Sequence, residues 1–101
     1  MILVRNVFQV KFGAAKEAVG LWKEGIEIGK RAGFGETGAR LLTDLAGPEF
    51  YTMVIEFTHE SLAEFEKSSK TVMGNSQWQA WYAKMLPLLE GGRREIYNIV
   101  G

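Results

Sequence analysis

One imidazole and no thiol set narrow bounds on the chemistry open to this chain. Its 101 residues include a single His, His59, and no Cys. A thiol nucleophile, a Cys-based zinc or iron–sulfur site and a disulfide framework are thereby excluded. Any imidazole base must be His59, beside Glu60 where strand character gives way to a helix. The alternative is a solvated or capping residue, since a catalytic His normally has an orienting partner. With one His, no transition-metal site is expected. Paired carboxylates fall only on exposed helix faces, and no Ser–His–Asp arrangement can be defended. The stretch GFGETG, Gly33 to Gly38, has the letters of a dinucleotide fingerprint. It leaves a helix and leads into a strand, the reverse of the order that aims helix N-terminal amides at a phosphate, so it reads as a flexible connection, or a mobile rim to a pocket.

Two groups of residues remain as candidates. Asn6 lies in the alternating stretch Ile2 to Phe12, on the face it shares with Ile2, Val4, Phe8, Val10 and Phe12. An amide in that company is either bonded to neighbouring backbone or lines a cavity, where it could orient a ligand carbonyl or a dioxygen intermediate. Trp78, Trp81 and Tyr82, with Trp22, form either a core stripe or an aromatic box around a flat hydrophobic ligand. Arg93 and Arg94, beside Glu90 and Glu95, read as a solvated charged turn.

The elements that must position these groups are organised around EFYTMVIEFT, Glu49 to Thr58, the longest strictly alternating segment. Tyr51, Met53, Ile55 and Phe57 share one face of this strand, and Phe50, Thr52, Val54 and Glu56 the other, so both faces are predicted to be covered. The spacing predicts a helix from Ala14, with Gly25 and Gly29 allowing close backbone packing against the sheet and Gly33 as its left-handed cap. Ala39 to Ala46 reads as a strand returned directly by Gly47 and Pro48. Thr58 is the predicted N-cap of the next helix, and Ser76 with Gln79 a capping box for another, ended or kinked by Pro87. Arg94 to Val100 reads as the last strand. This βαββαβ order is a ferredoxin-like α+β fold, a four-stranded antiparallel sheet with helices on one face. The other face would carry Leu3, Val7, Phe50, Val54 and either Tyr97 or Ile96, with Arg5 and Glu56 among them. A patch of that kind predicts sheet-to-sheet packing with a second copy, in which Arg5 and Glu56 would favour register more than affinity.

Twelve basic residues balance twelve acidic ones. No net field would hold a nucleic acid or an acidic membrane, and no run is long and apolar enough to cross one. A cytoplasmic protein is expected.

With strand order in place, the segments VIEFTHESLAEFE and QWQAWYAKMLPLLEGGRREIY complete a likeness. The chain resembles the dimeric α+β barrel superfamily and, within it, the NIPSNAP-like proteins, related to antibiotic-biosynthesis-type monooxygenases. The resemblance covers nearly the whole chain, so residues 1–101 read as a single domain of that kind. It implies two subunits packing their sheets into a barrel, each with a pocket between helices and sheet. Here that pocket would be lined by Asn6, Phe8, Trp22, Tyr51, Phe65, Trp78 and Trp81. A heme-degrading relative would also need a Trp where Phe65 stands, and an axial His in a region that reads SSKTVMGNSQ. Without that imidazole the heme iron would have no protein ligand. The resemblance therefore implies an enzyme acting without cofactor or metal on a hydrophobic small molecule, a monooxygenase or isomerase, with Asn6 and His59 as catalytic candidates. The alternative is a non-catalytic ligand-binding or stress-response dimer.

Overall fold

The computed structural model describes residues 1–34 and 37–101. The elements run β1 (Ile2–Val10), α1 (Ala15–Arg31), β2 (Thr37–Thr43), β3 (Thr52–His59), α2 (Leu62–Met73), α3 (Ser76–Met85), a 3-10 turn (Leu86–Leu88) and β4 (Leu89–Asn98). They form one antiparallel sheet of order β2-β3-β1-β4. This is the ferredoxin-like α+β fold.

Alternation along the strands sorts the side chains between two faces. Register places Val4 opposite Phe57 and Asn6 opposite Ile55. Val4, Ile55 and Phe57, with Ile2, Val10 and Met53, meet Ala18, Trp22 and Ile28 of α1, Phe65 of α2 and Trp81 and Met85 of α3 in one core. The helices thus lie over a single face. α1 and α3 cross at Gly25, which is buried under the Trp81 ring. A methyl at Gly25 would overlap that ring, so the glycine serves helix–helix contact rather than helix–sheet contact. Trp81 Nε1 donates to the Leu21 carbonyl oxygen at 2.6 Å, fixing the indole across α1.

Local chemistry explains where the element ends depart from the sequence reading. Gly33 does take the left-handed cap position, at φ 91°; the remainder of the Gly33–Gly38 connection includes Gly35 and Glu36, which lie outside the described residues. β1 stops at Val10 and leaves Phe12 exposed. β3 begins at Thr52, not Glu49, because Tyr51 has a φ of 59° that no strand accommodates. The reversal is therefore longer than a Gly-Pro turn, and is clamped where Asp44 Oδ1 accepts from the Thr52 amide at 2.9 Å. Ser61, not Thr58, caps α2, its hydroxyl accepting from the Glu64 amide at 3.2 Å. Asn75, not Ser76, caps α3 through the Trp78 amide at 3.0 Å. Both caps satisfy an orphan donor of the first turn.

β4 shows the largest departure. It starts at Leu89 instead of Arg94, so Gly91 to Arg93 pair in the sheet. Gly92 lies opposite Phe8, and a Cβ on it would come within 2.8 Å of the Phe8 ring. The double glycine that suggests a turn thus makes room for an aromatic side chain. Arg93 and Arg94 are strand residues, not a solvated turn.

Candidate functional site

Between the helix-covered face of the sheet and the three helices lies a cleft of about 760 Å³, within the range of small-molecule sites. Asn6, Phe8, Trp22, Phe65 and Trp78 line it. Phe8 and Trp22 approach to 5.3 Å between ring centroids, and Trp22 meets Trp78 edge-on at 6.4 Å. Two of the residues read as pocket-lining stand elsewhere. Trp81 is 1% exposed and sits behind the wall, its ring 4.6 Å from both Trp22 and Trp78. Burial against Gly25 makes it core. Tyr51 lies at the far end of the sheet, in a smaller hollow with Val10 and Val19, edge-on to Phe12 at 4.8 Å.

His59 is the last residue of β3, not part of a helical first turn, and it is 2% exposed. Its ring lies 5.0 Å from Phe34 and 5.4 Å from both Phe57 and Phe65. A solvated role is therefore wrong, and among the described residues the cleft wall does not include it.

The polar centre of the cleft is a pair the sequence reading did not foresee. Arg94 is opposite Asn6 in the β1–β4 register, and its Nε donates to Asn6 Oδ1 at 2.8 Å. The guanidinium carbon is 5.2 Å from the centroid of the Phe65 ring, a cation–π distance. Asn6 thus finds its partner in a side chain, not in backbone. The signal for Arg94 was available only through register: once β4 starts at Leu89, Gly92, Arg94 and Ile96 fall on the helix-covered face with Phe8, Asn6 and Val4. One more polar atom marks this wall. Trp22 Nε1 is buried without a hydrogen-bond partner among the described residues, an arrangement that costs roughly 1–3 kcal/mol until an acceptor arrives.

The opposite face is built differently. Among the described residues no helix covers it, and Arg40, Glu56, Arg5 and Glu95 form a row across all four strands. Glu56 accepts from Arg40 and, at 3.3 Å, from Arg5 Nε, while Arg5 Nη1 donates to Glu95 Oε1 at 3.0 Å. Arg93 and Tyr97 close the row on Glu95 at 2.8 and 3.1 Å. The Arg93 hydrogen bond holds the Glu95 carboxyl below its ordinary range against the opposing effect of desolvation, and the Tyr97 hydrogen bond and the charges of Arg93 and Arg5 add to the lowering. Leu3, Val7, Leu42, Val54 and Tyr97 flank the row. Ile96 belongs to the helix-covered side, opposite Val4.

No protein-family model matches the sequence, and no curated protein does. The architecture, however, is that of solved NIPSNAP proteins. An uncharacterized NIPSNAP domain protein from Burkholderia xenovorans superposes with a TM-score of 0.84 at 17% identity, over 99% of this chain and 95% of that one. A NIPSNAP family protein from Agrobacterium tumefaciens gives 0.85 at 19% identity, over 98% and 92%. An antibiotic biosynthesis monooxygenase gives 0.74 at 14% identity over 100% of both chains. The fold is therefore the ferredoxin-like fold shared by NIPSNAP and antibiotic-biosynthesis-monooxygenase proteins. Among the described residues, no helix is long and apolar enough to cross a membrane.

Proposed function

We propose that this protein binds a hydrophobic small molecule in the helix–sheet cleft and works as a homodimer joined through the open faces of its sheets. The observation that carries the reading is the cleft itself, about 760 Å³ with an aromatic wall and a hydrogen-bonded polar pair, Asn6 and Arg94, on it. Charge patterning supports the dimer. The row Arg40, Glu56, Arg5, Glu95 alternates in sign, so a second copy turned end for end about a two-fold axis sets each Arg over a Glu. Native mass spectrometry of the freshly purified chain tests both parts. A dimer carrying extra mass is the expected spectrum. A monomer at micromolar concentration would overturn the association. A cleft that takes up no apolar compound from a hydrophobic-fragment panel would overturn the binding site.

A second reading is catalysis, as a cofactor-independent monooxygenase or isomerase. It is favoured by the Asn6 amide, whose Nδ2 donors sit beside a guanidinium where a developing oxyanion could be stabilised. Oxygen consumption with quinol-type substrates and ring isomerisation of lactones test it. Turnover that Asn6→Leu abolishes while the variant stays folded supports catalysis; absence of turnover across both classes leaves binding as the function.

A further inference from the structure

Around Asn6, the polar groups that the cleft leaves free for a ligand are donors, and that of Arg94 is cationic. Arg94 engages Asn6 through Nε alone among the described residues, which leaves the other N–H groups of its fork unused. The described residues contain no ion pair that neutralises it: Glu95, its neighbour in sequence, is held by Arg5 and Arg93 on the opposite face. Asn6, with Oδ1 occupied by Arg94, has its Nδ2 hydrogens left to give. Trp22 Nε1 is a buried donor still lacking an acceptor. Among the described residues the wall's one carboxylate, Glu90, is exposed and makes no ion pair with Arg94. Around these groups stand the rings of Phe8, Trp22, Phe65 and Trp78. Ser69, Gln79 and Tyr82 add to the polar lining, but none of them neutralises the guanidinium, and a cation with free donors beside a flat apolar wall calls for a ligand with an apolar ring body and an anionic oxygen head.

We propose that the cleft selects a flat hydrophobic carboxylate, its head held by Arg94 and Asn6 and its rings lying along Trp22 and Trp78. The proposal rests on the cleft being a small-molecule site and adds the charge of what it takes. A neutral molecule of the same shape would fill the aromatic part yet leave the guanidinium unmatched. Arg is suited to this task because its planar fork matches a carboxylate with two hydrogen bonds.

The test is an NMR titration of the whole, isotopically labelled chain with 2-naphthoate and with 2-naphthylmethanol, which share a ring system and differ in head charge. The carboxylate is expected to bind about tenfold or more tightly than the alcohol, the value of one charge-assisted contact. Arg94→Gln should bring the two affinities together while the alcohol's stays unchanged, and Lys67→Gln, an exposed charge change on α2 outside the cleft, should leave the ratio intact. Equal affinities in the native chain, with shifts at the cleft, would overturn the anion preference and leave the hydrophobic site standing. No shifts with either probe would overturn both. A preference that survives in Arg94→Gln would remove Arg94 from it. Should Arg94→Gln fail to fold, Arg94→Lys decides: it keeps the charge and loses the fork, and a ratio equal to the native one would overturn two-bond recognition by Arg94.

Discussion

The two faces of one sheet keep water away from their residues by different means. Along β3, Met53, Ile55 and Phe57 turn to the helices and are sealed by rings and methyl groups. Glu56, between two of them in sequence, turns the other way and is 4% exposed with no helix above it. Two guanidinium arms, from Arg5 and Arg40, cover it. The first face is held by apolar contact area, which is insensitive to salt and unforgiving of lost volume. The second is held by charge-assisted hydrogen bonds between long side chains, which tolerate changes of shape and respond to ionic strength. The proposed function follows the division: the apolar side has room for a guest, and the charged side alternates in sign as a second copy would require.

The largest effect should come from breaking the apolar side. Trp81→Ala removes a side chain 1% exposed and its bond to the Leu21 carbonyl, and should lower unfolding stability by about 3–5 kcal/mol in urea denaturation. A loss below about 1 kcal/mol would show that α1 and α3 collapse onto each other without it. Next comes the charged side. Glu56→Gln keeps the shape and halves the row's negative charge; since the Arg5 and Arg40 side chains are 33% and 68% exposed, the expected loss is about 1–2 kcal/mol, well under a fully buried pair. The same variant should weaken self-association in sedimentation, and high salt should do so in the native chain; a salt-independent dimer would mean that the row plays no part.

Asn6→Leu sharpens the comparison, because it places an apolar residue on the apolar face. Stability should change by less than about 1 kcal/mol, since Arg94 is exposed and can rehydrate, while ligand response is lost. The smallest effect belongs to Glu95. Its folded carboxyl titrates below the ordinary value of 4.5. That contribution to stability is therefore present above the unfolded pKa and is lost as pH falls through the folded one. Glu95→Gln should remove that small contribution at neutral pH, slightly flatten acid unfolding below pH 4.5 and leave the pH slope near neutrality unchanged. An acid limb identical in both proteins would show that solvent screens the Arg93–Glu95 pair completely.

Much of this was legible in the sequence, and the exceptions share a cause. The β3 segment announced itself because period-2 alternation with aromatic and β-branched residues needs no partner to be recognised. The βαββαβ order followed from changes of period and from breakers such as Gly33 and Gly74. Asn6 could be singled out by its company alone. Arg94 could not: Gly91 and Gly92 are turn residues by propensity, and only the Phe8 ring on the neighbouring strand explains why they lie in a strand. Tyr51 was assigned to the strand by alternation, whereas its backbone turns left-handed where the hairpin closes. Trp81 and Trp78 are equivalent in a stripe, and only the missing Cβ at Gly25 sends one into the core and leaves the other on the cleft.

The sequence by itself determined the order of elements, the two faces of each strand and the absence of thiol chemistry, because these are properties of neighbours along the chain. The tertiary structure alone decided register and the identity of cross-strand partners. Those depend on which strand lies beside which, and a shift of β4 by one residue would have turned the Arg94 side chain to the open face of the sheet and that of Arg93 to the helix-covered one.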